Sequence, residues 1–384
     1  MLEQVLSSSK IIQVDRLTAD DLDRLLFYLG GPAATVAVIE DNRPFGLRDE
    51  MLASLAERRP ITRLNKVFPD PKVADIMDMA DRLKGKGIDI IIGIGGGSTM
   101  DSAKGVAAIL SNGGDLEEYL GTQATRKIEK KDVRLVLIPT TAGTGAEVTK
   151  FGVYTARTGR KYTLNNPLLQ SDVAVLVAEY TYDLPAALTA ATTFDALSHA
   201  LETIWNKNAT PISDRVAIES AIHILKWMEV AFDNPVKGRK EMLEGACMAG
   251  IAFNLTGTAA VHALSFILSE EWHVPHGVAC AFTLEDVMLL NQKDEATRKK
   301  LLRVAKAVFN EGNEDDLLGK LYTHIVELKK KFGLPATFGD IGVKLGPNEL
   351  SVLFLKAMDD PKMGNNAVPV DMKIVDKIIA GKCR

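Results

Sequence analysis

Residues 88–104 read IDIIIGIGGGSTMDSAK: an apolar run, 88–92, that ends in a glycine cluster and leads directly into a helical pattern. Such a run is typical of a parallel strand buried on both faces. The pattern returns at 34–39 (ATVAVI), 134–138 (RLVLI) and 173–177 (VAVLV), and 71–86 has the spacing of an amphipathic helix. The first half of the chain is therefore predicted to form a parallel α/β sheet.

The second half shows little strand pattern from Leu184-Pro185 onward. We expect an α/β domain over residues 1–184 and an all-α domain over 185–384. A loop is expected at 234–239. Helical periodicity is found at 187–206, 211–232, 239–254, 298–310 and 316–332.

Composition excludes several classes of protein. The 384 residues are 46% hydrophobic and 25% charged, with a net charge of −4, so neither nucleic acid nor a membrane surface is an expected partner. The three cysteines form no CxxC pair, and the start MLEQVLSSSKIIQVD lacks the pattern of a signal peptide. We expect a cytoplasmic protein.

Two loops follow predicted strands. In the glycine loop, Gly96 and Gly97 permit close approach of a ligand, and Ser98 is expected to cap the following helix, whose N–H groups suit a phosphate. A tight strand-to-helix turn is the alternative. The threonine loop, 139–149 (PTTAGTGAEVT), offers hydroxyls for phosphate, ribose or nicotinamide, although such residues also cap ordinary turns. Its candidates are Thr140, Thr141, Thr144 and Thr149.

Asp41 follows the strand predicted at 34–39. A carboxylate at this point reads ribose hydroxyls in dinucleotide-binding folds and repels a 2′-phosphate, which favours NAD(H). An aspartate in an ordinary surface turn is an equal alternative.

A carboxylate and three imidazoles form a candidate metal site. Asp195 and His199 lie four residues apart in FDALSHALE, on one face of a predicted helix, and His262 (VHALS) and His276 (PHG) follow. These donors suit Fe²⁺ or Zn²⁺. Three other residues with metal-binding side chains are expected to pack in the core instead. Cys280 is expected to pack as a small hydrophobe, and His223 and His324 as lone histidines.

Together, GGGSTMDSAK, PTTAGTGAEVT, FDALSHALE, VHALS and PHG resemble the iron-containing, metal-dependent alcohol dehydrogenases over nearly the whole chain. The resemblance implies a Rossmann-like nucleotide-binding domain and a helical metal-binding domain. It implies NAD(H) and one divalent metal, Fe²⁺ first and Zn²⁺ or Mn²⁺ otherwise. The implied metal ligands are Asp195, His199, His262 and His276. The implied cofactor residues are Asp41, Gly96, Gly97, Ser98, Asp101, Thr140, Thr141, Thr144, Thr149 and Lys161.

The chain also departs from the family pattern. Phe266 stands where many members have a histidine near the nicotinamide, so His273 or water becomes the candidate proton relay. Cys280 replaces a usual asparagine, and residues 283–285 replace a usual Leu-Leu-Pro. These changes lie around the expected substrate side and indicate a specialised branch.

The resemblance implies interconversion of a short-chain aldehyde and a primary alcohol, with the metal acting as a Lewis acid on the substrate oxygen and hydride passing to or from nicotinamide. The aldehyde could be anionic, such as sulfoacetaldehyde or phosphonoacetaldehyde, with Phe266 and the cation Lys150 beside it; a solvated loop lysine is the alternative. Neutral short-chain alcohols or diols are the second substrate class. A homodimer or larger homo-oligomer is expected. The rivals are a dehydroquinate synthase-like lyase, a zinc glycerol dehydrogenase, and a non-catalytic nucleotide-binding relative.

Overall fold

The computed structural model describes residues 9–121 and 124–383, which form two compact units. Within the described residues, the first unit runs to Thr141 and resumes over Ala146–Asp183. The second comprises Ala142–Gly145 and the chain from Leu184 onward. The tip of the threonine loop thus belongs to the second unit, which a single boundary at residue 184 does not anticipate.

The first unit contains a six-stranded parallel sheet. Its strands are β1 (Lys10–Val14), β2 (Val36–Asp41), β3 (Ile61–Val67), β4 (Ile90–Gly95), β5 (Arg134–Pro139) and β8 (Val173–Val177). They are ordered β1-β8-β5-β4-β2-β3. A separate antiparallel hairpin consists of β6 (Phe151–Thr155) and β7 (Lys161–Asn165). The predicted α/β class is confirmed.

Four α-helices cover the two faces of this sheet. They are α1 (Ala19–Gly30), α2 (Gly46–Ala56), α3 (Val73–Leu83) and α4 (Gly97–Asn112). Successive side chains of β4 enter two different cores, Ile91 one of them and Ile90 and Ile92 the other. Alternate side chains of the strand point to opposite faces of the sheet, and both faces are buried. Apolar residues are therefore required at every position, which explains the unbroken apolar run in the sequence.

The carboxyl ends of β4 and β5 lie next to each other. Gly95 pairs with Pro139, and the backbone N–H of Thr140 donates to the carbonyl oxygen of Gly95 at 3.0 Å. The glycine loop and the beginning of the threonine loop therefore meet at one edge of the sheet. This is the edge at which open parallel sheets bind ligands.

The second unit is built from helices. They are α5 (Ala186–Ile204), α6 (Pro211–Asp233), α7 (Pro235–Thr256), α8 (Ala260–Trp272), α9 (His276–Asn291), α10 (Glu295–Phe309), α11 (Glu314–Lys331), α12 (Pro347–Phe354) and α13 (Met372–Lys382). From Thr189 onward nearly all of α5 is buried, as expected for a central helix that is apolar all round. Within the described chain no single helix is long and apolar enough to span a membrane; α7 and α8 reach that composition only as a pair bent by 105°.

The loop predicted at 234–239 is wrong, because α7 begins at Pro235. The side chain of Asn234 accepts from the backbone N–H of Lys237, and Pro235 occupies the first turn, where a missing N–H costs nothing. Asparagine and proline therefore start a helix here instead of a loop.

Candidate active site

One carboxylate and three imidazoles converge in the second unit. Asp195 and His199 lie one turn apart on α5, His262 lies in the first turn of α8, and His276 is the first residue of α9. The Oδ1 atom of Asp195 is 3.9, 3.7 and 3.6 Å from the Nε2 atoms of His199, His262 and His276. This oxygen is buried and has no hydrogen-bond partner among the described residues. The residues predicted as metal ligands are thus brought together.

The geometry of this cluster fits a divalent metal ion. Donors bound at about 2.0–2.2 Å to one ion lie roughly 3–4 Å apart, which is the observed spacing around Asp195. Burial lowers the pKa of His199 to about 3, so its imidazole is neutral, as a metal ligand requires. Burial opposes ionisation of Asp195, but the imidazoles of His199 and His276 outweigh it and hold its pKa below the usual value. One carboxylate oxygen and three imidazole nitrogens are donors that suit Fe²⁺ or Zn²⁺.

Glu202, the last residue of FDALSHALE, adjoins the cluster and was not predicted as a site residue. Its carboxylate is fully buried and accepts from Nδ1 of His262 at 2.5 Å. It also accepts from the backbone N–H groups of Ala259 (2.9 Å), Val261 (2.6 Å) and His262 (3.3 Å). It therefore caps α8 and orients the His262 ring so that Nε2 faces Asp195. Helical spacing could have identified it, because positions 195, 199 and 202 share one face of α5.

The close packing of α9 on α5 depends on Gly277. A Cβ atom at this position would lie 2.0 Å from the carbonyl oxygen of Ala191 and 3.2 Å from the Cβ of Asp195. Only glycine permits this approach of the two helices. The approach places the adjacent His276 within 3.6 Å of the Asp195 carboxylate.

The glycine loop presents the start of α4 without a side-chain cap. The N-cap residue is Gly96, in an extended conformation, and Ser98 lies in the first turn. The predicted capping by Ser98 is therefore wrong, because the helix begins at Gly97, two residues too early for Ser98 to be its N-cap. Uncapped first-turn N–H groups at a helix N-terminus are suited to a phosphate.

The four threonines of the second loop have different environments. The hydroxyl oxygens of Thr140 and Thr141 are buried without a partner among the described residues, so they can receive a ligand. Thr149 is engaged, because its hydroxyl accepts from the buried Lys104 ammonium at 3.2 Å. Thr144 lies in the tip that belongs to the second unit.

Asp101 and Lys161 make structural contacts. The Asp101 carboxylate accepts from the backbone N–H of Val153 at 3.0 Å and lies 3.6 Å from Lys104. Lys161 pairs with Asp70 at 2.7 Å. These contacts attach β6 to α4 and β7 to the loop before α3. A role of either residue in cofactor binding stays a prediction.

Asp41 lies in a cluster of arginines. Its Oδ1 atom accepts from the backbone N–H of Arg43 and from Nη1 of Arg48, both at 3.1 Å. Arg48 and Arg63 also pair with the fully buried Glu40, at 2.9 and 2.6 Å. The negative charge of Asp41 is thus partly balanced, so the predicted preference for NAD(H) over NADP(H) is weaker than the carboxylate alone would give.

Comparison with known proteins identifies the family. The iron-containing alcohol dehydrogenase model matches residues 13–178, and the C-terminal model of the Fe-containing alcohol dehydrogenase family matches residues 189–382. The chain belongs to the iron-containing alcohol dehydrogenase family. It is therefore an oxidoreductase, and the predicted family and enzyme class are confirmed.

Relatives of this alcohol dehydrogenase have diverse substrates. It is 32% identical over 307 residues to long-chain-alcohol dehydrogenase 1 of Geobacillus thermodenitrificans, covering 78% of this chain and 76% of that one. A solved 1,3-propanediol oxidoreductase matches with a TM-score of 0.88 and 26% identity over 97% of this chain and 98% of that one. The sulfoacetaldehyde reductase from Bifidobacterium kashiwanohense in complex with NAD⁺ matches with a TM-score of 0.87 and 26% identity over 97% and 96%.

Three residues of this alcohol dehydrogenase lie differently from expectation. Cys280 is fully buried as predicted, yet its Sγ atom lies 3.8 Å from Nε2 of His276 and belongs to the ligand cluster instead of only to the core. His273 ends α8 in a left-handed conformation (φ 54°) with its side chain exposed, outside the cluster. His223 is half-buried beside Glu241, at 3.1 Å.

An aromatic ring and a cation flank the cluster in the second unit. The ring of Phe266 is 6.1 Å from that of His276, and the Nζ atom of Lys362 is 4.1 Å from the Phe266 ring centre. Lys362 also pairs with Asp360 at 3.0 Å. Lys362 was not predicted, because nothing in the sequence relates it to position 266. Lys150, the predicted cation, lies 5.6 Å from the Phe151 ring centre, and burial lowers its pKa.

Lys362 lies in the short 3-10 segment Pro361–Asn365. Hydrogen bonds from Asn365, its last residue, and from the following Asn366 hold the end of this segment. The side-chain amides of Asn366 and Asn291 donate to each other's carbonyl oxygens at 3.0 and 3.1 Å, and both residues are fully buried. Nδ2 of Asn365 donates to the carbonyl oxygen of Thr258 at 2.9 Å. These amide hydrogen bonds anchor the segment near its end.

Proposed function

We propose that this enzyme is a metal-dependent, NAD(H)-linked reductase that interconverts a short-chain aldehyde and its primary alcohol, with Fe²⁺ as its first-choice metal. The observation that carries the proposal is the buried Oδ1 atom of Asp195, which has no hydrogen-bond partner in the described part of the chain and faces three imidazole nitrogens at 3.6–3.9 Å. A divalent ion supplies Lewis-acid polarisation of a substrate oxygen when it is bound.

The chain's own residues supply binding and orientation. Asp195, His199, His262 and His276 would hold the ion, and Glu202 keeps His262 in the tautomer that leaves Nε2 available. In the first unit, the uncapped start of α4 suits the cofactor pyrophosphate, and the unpartnered hydroxyls of Thr140 and Thr141 are candidate contacts to the cofactor.

For the substrate, we propose an aldehyde with an anionic group, such as sulfoacetaldehyde or phosphonoacetaldehyde. The support is Lys362, whose ammonium lies over Phe266 beside His276. Asp360 occupies one of its three donor positions, which leaves others for a sulfonate or phosphonate. The similarity to a sulfoacetaldehyde reductase agrees with this. Neutral alcohols or diols, as in the 1,3-propanediol oxidoreductase relative, are the second candidate.

The function is tested by loading metal-free protein with Fe²⁺, Zn²⁺ or Mn²⁺ and following NADH oxidation with acetaldehyde, propionaldehyde, lactaldehyde, succinic semialdehyde, sulfoacetaldehyde and phosphonoacetaldehyde. We expect metal-dependent oxidation that Asp195→Asn abolishes together with bound metal. Asp315→Asn, on the exposed surface of α11, is the control that retains both. NADH binding without oxidation under any metal would overturn the proposal in favour of a non-catalytic nucleotide-binding protein.

The substrate class is tested at Lys362. Lys362→Met should lower kcat/KM for sulfoacetaldehyde about tenfold or more, since a hydrogen bond to a charged group contributes about 1.5–3 kcal/mol. Lys362→Arg should retain most of the wild-type value, and propionaldehyde should be reduced equally well by all three proteins. Equal losses for both aldehydes would contradict an anion-binding role.

We also propose that the enzyme is a cytoplasmic homo-oligomer. The three cysteines form no disulfide, which suits a reducing compartment. Edge strand β1 pairs only with β8 among the described strands, and Ile11 and Ile12 on it are 44% and 38% exposed. Such an edge can pair with another chain. Sedimentation should give a dimer or larger assembly; a monomer at micromolar concentration would contradict this.

A further inference from the structure

The ligand cluster contains a sulfur donor. Cys280 lies one turn after His276 on α9, and its Sγ atom is 4.0 Å from Nδ1 and 3.8 Å from Nε2 of that imidazole. Asp195, His262, His276 and Cys280 each offer one ligand atom, and these four atoms all lie within 4.8 Å of one another. His199 completes the cluster from the Asp195–His262 side, with its Nε2 atom 3.0 Å from that of His262.

The spacing of the sulfur matches shared coordination. Zinc binds thiolate sulfur at about 2.3 Å and imidazole nitrogen at about 2.0–2.1 Å, so two such neighbouring donors of one ion lie roughly 3–4 Å apart. The observed Sγ–Nε2 separation is 3.8 Å. Because Cys280 has no exposed surface, its thiol faces only the protein interior and this cluster.

We propose that Cys280 is an additional ligand of the metal held by Asp195, His199, His262 and His276. The inference rests on the proposed metal centre and adds to it a soft donor. On coordination the S–H bond is lost, a metal–sulfur bond forms, and the proton leaves to solvent. Because a thiolate is a soft donor, Cys280 raises the affinity of the site for Zn²⁺ relative to Fe²⁺, compared with the same site without the sulfur.

The test is X-ray absorption spectroscopy of the zinc-loaded protein, with the molar ratio of zinc to protein measured on the same sample. We expect a sulfur scatterer at about 2.3 Å in wild type. Cys280→Ser should lose it, and Cys247→Ser, which alters a buried cysteine of α7 outside the cluster, should retain it. The cobalt-loaded proteins should show a thiolate-to-cobalt charge-transfer band with the same dependence.

Each outcome bears on the proposal. Wild-type protein with a full complement of zinc and only nitrogen and oxygen scatterers would overturn it, even if Cys280→Ser fails to fold. Wild-type protein that binds no metal would overturn the metal centre itself, which separates the two failures. A Zn²⁺-to-Fe²⁺ affinity ratio that falls in Cys280→Ser would support the shift in metal preference, and an unchanged ratio would contradict it.

Discussion

Replacement of Glu202 by glutamine tests the link between helix capping and the proposed metal ligand His262. The substitution keeps the shape of the side chain but replaces one acceptor oxygen with an NH₂ group. In the structure each carboxylate oxygen faces two N–H donors: Oε1 those of Val261 and His262, and Oε2 that of Ala259 and Nδ1 of His262. Whichever way the glutamine amide is oriented, its NH₂ group therefore faces two N–H donors and can accept from neither.

The size of the effect follows from this count. Two hydrogen bonds to a buried charged group are lost, at about 1.5–3 kcal/mol each, which gives a destabilisation of about 3–6 kcal/mol. Since natural proteins are stable by about 5–15 kcal/mol, the variant should still fold at low temperature. Loss of the partner that orients a metal-bound imidazole should also weaken metal binding about 10–100-fold.

Tryptophan fluorescence during urea denaturation of the metal-free protein measures the first effect. All three tryptophans, Trp205, Trp227 and Trp272, lie in the second unit, so the signal reports the unit that contains Glu202. Metal titration measures the second effect. The matched control is Glu219→Gln, an exposed position on α6.

We expect Glu202→Gln to lower both the denaturation midpoint and the metal affinity, and Glu219→Gln to change neither. A Glu202→Gln protein with wild-type midpoint and wild-type metal affinity would refute the reasoning. A lowered midpoint with unchanged metal affinity would leave Glu202 as a helix cap alone.

Three further substitutions give independent tests. Gly277→Ala places a Cβ atom 2.0 Å from the carbonyl oxygen of Ala191, so it should lower the free energy of unfolding by about 1–3 kcal/mol and weaken metal binding. The control is Gly319→Ala on α11, where a Cβ atom has open space, and it should have neither effect. Equal behaviour of the two variants would contradict close packing of α9 on α5 at Gly277. Asp41→Ala removes a carboxylate from beside Arg43 and Arg48, so the kcat/KM ratio of NADPH to NADH should rise; an unchanged ratio would show that Asp41 does not contact the ribose. Burial raises the pKa of Glu147 from 4.5 to about 7, so the stability contributed by its neutral carboxyl is present below pH 4.5 and lost as the pH rises through 7. In thermal melts, the stability of Glu147→Gln should therefore equal that of wild type near pH 4.5 and exceed it by up to about 3 kcal/mol above pH 7. A stability difference that does not change with pH would contradict this prediction.

Burial explains which strands could be predicted. β4, β5 and β8 are buried along almost their whole length, so their sequences are nearly unbroken apolar runs. The edge strands β1 (KIIQV) and β3 (ITRLNKV) have largely exposed residues and a mixed pattern, and were not predicted.

Helices α8 and α9 were missed for a related reason. Both are apolar on nearly all sides, so they lack the periodicity that identifies an amphipathic helix.

The candidate site was predictable where chemistry and spacing coincide. Asp195 and His199 share a helix face, and imidazoles are rare in this chain, so His262 and His276 could be associated with them. Cys280 was assigned to the core because burial and ligation are not separable in sequence. Lys362 reaches Phe266 only through tertiary packing, which no local pattern records.

The paired amides of Asn291 and Asn366 have a consequence for how the enzyme can diverge. They hold the segment that carries position 362, while the proposed metal ligands come from α5, α8 and α9. A substitution at position 362 changes the charge beside Phe266 but alters none of the side chains that form these amide hydrogen bonds or that are proposed to hold the metal. Under the proposed role of Lys362, evolution or a protein engineer could therefore change the charge preferred in the substrate at this one position and keep the proposed metal ligands.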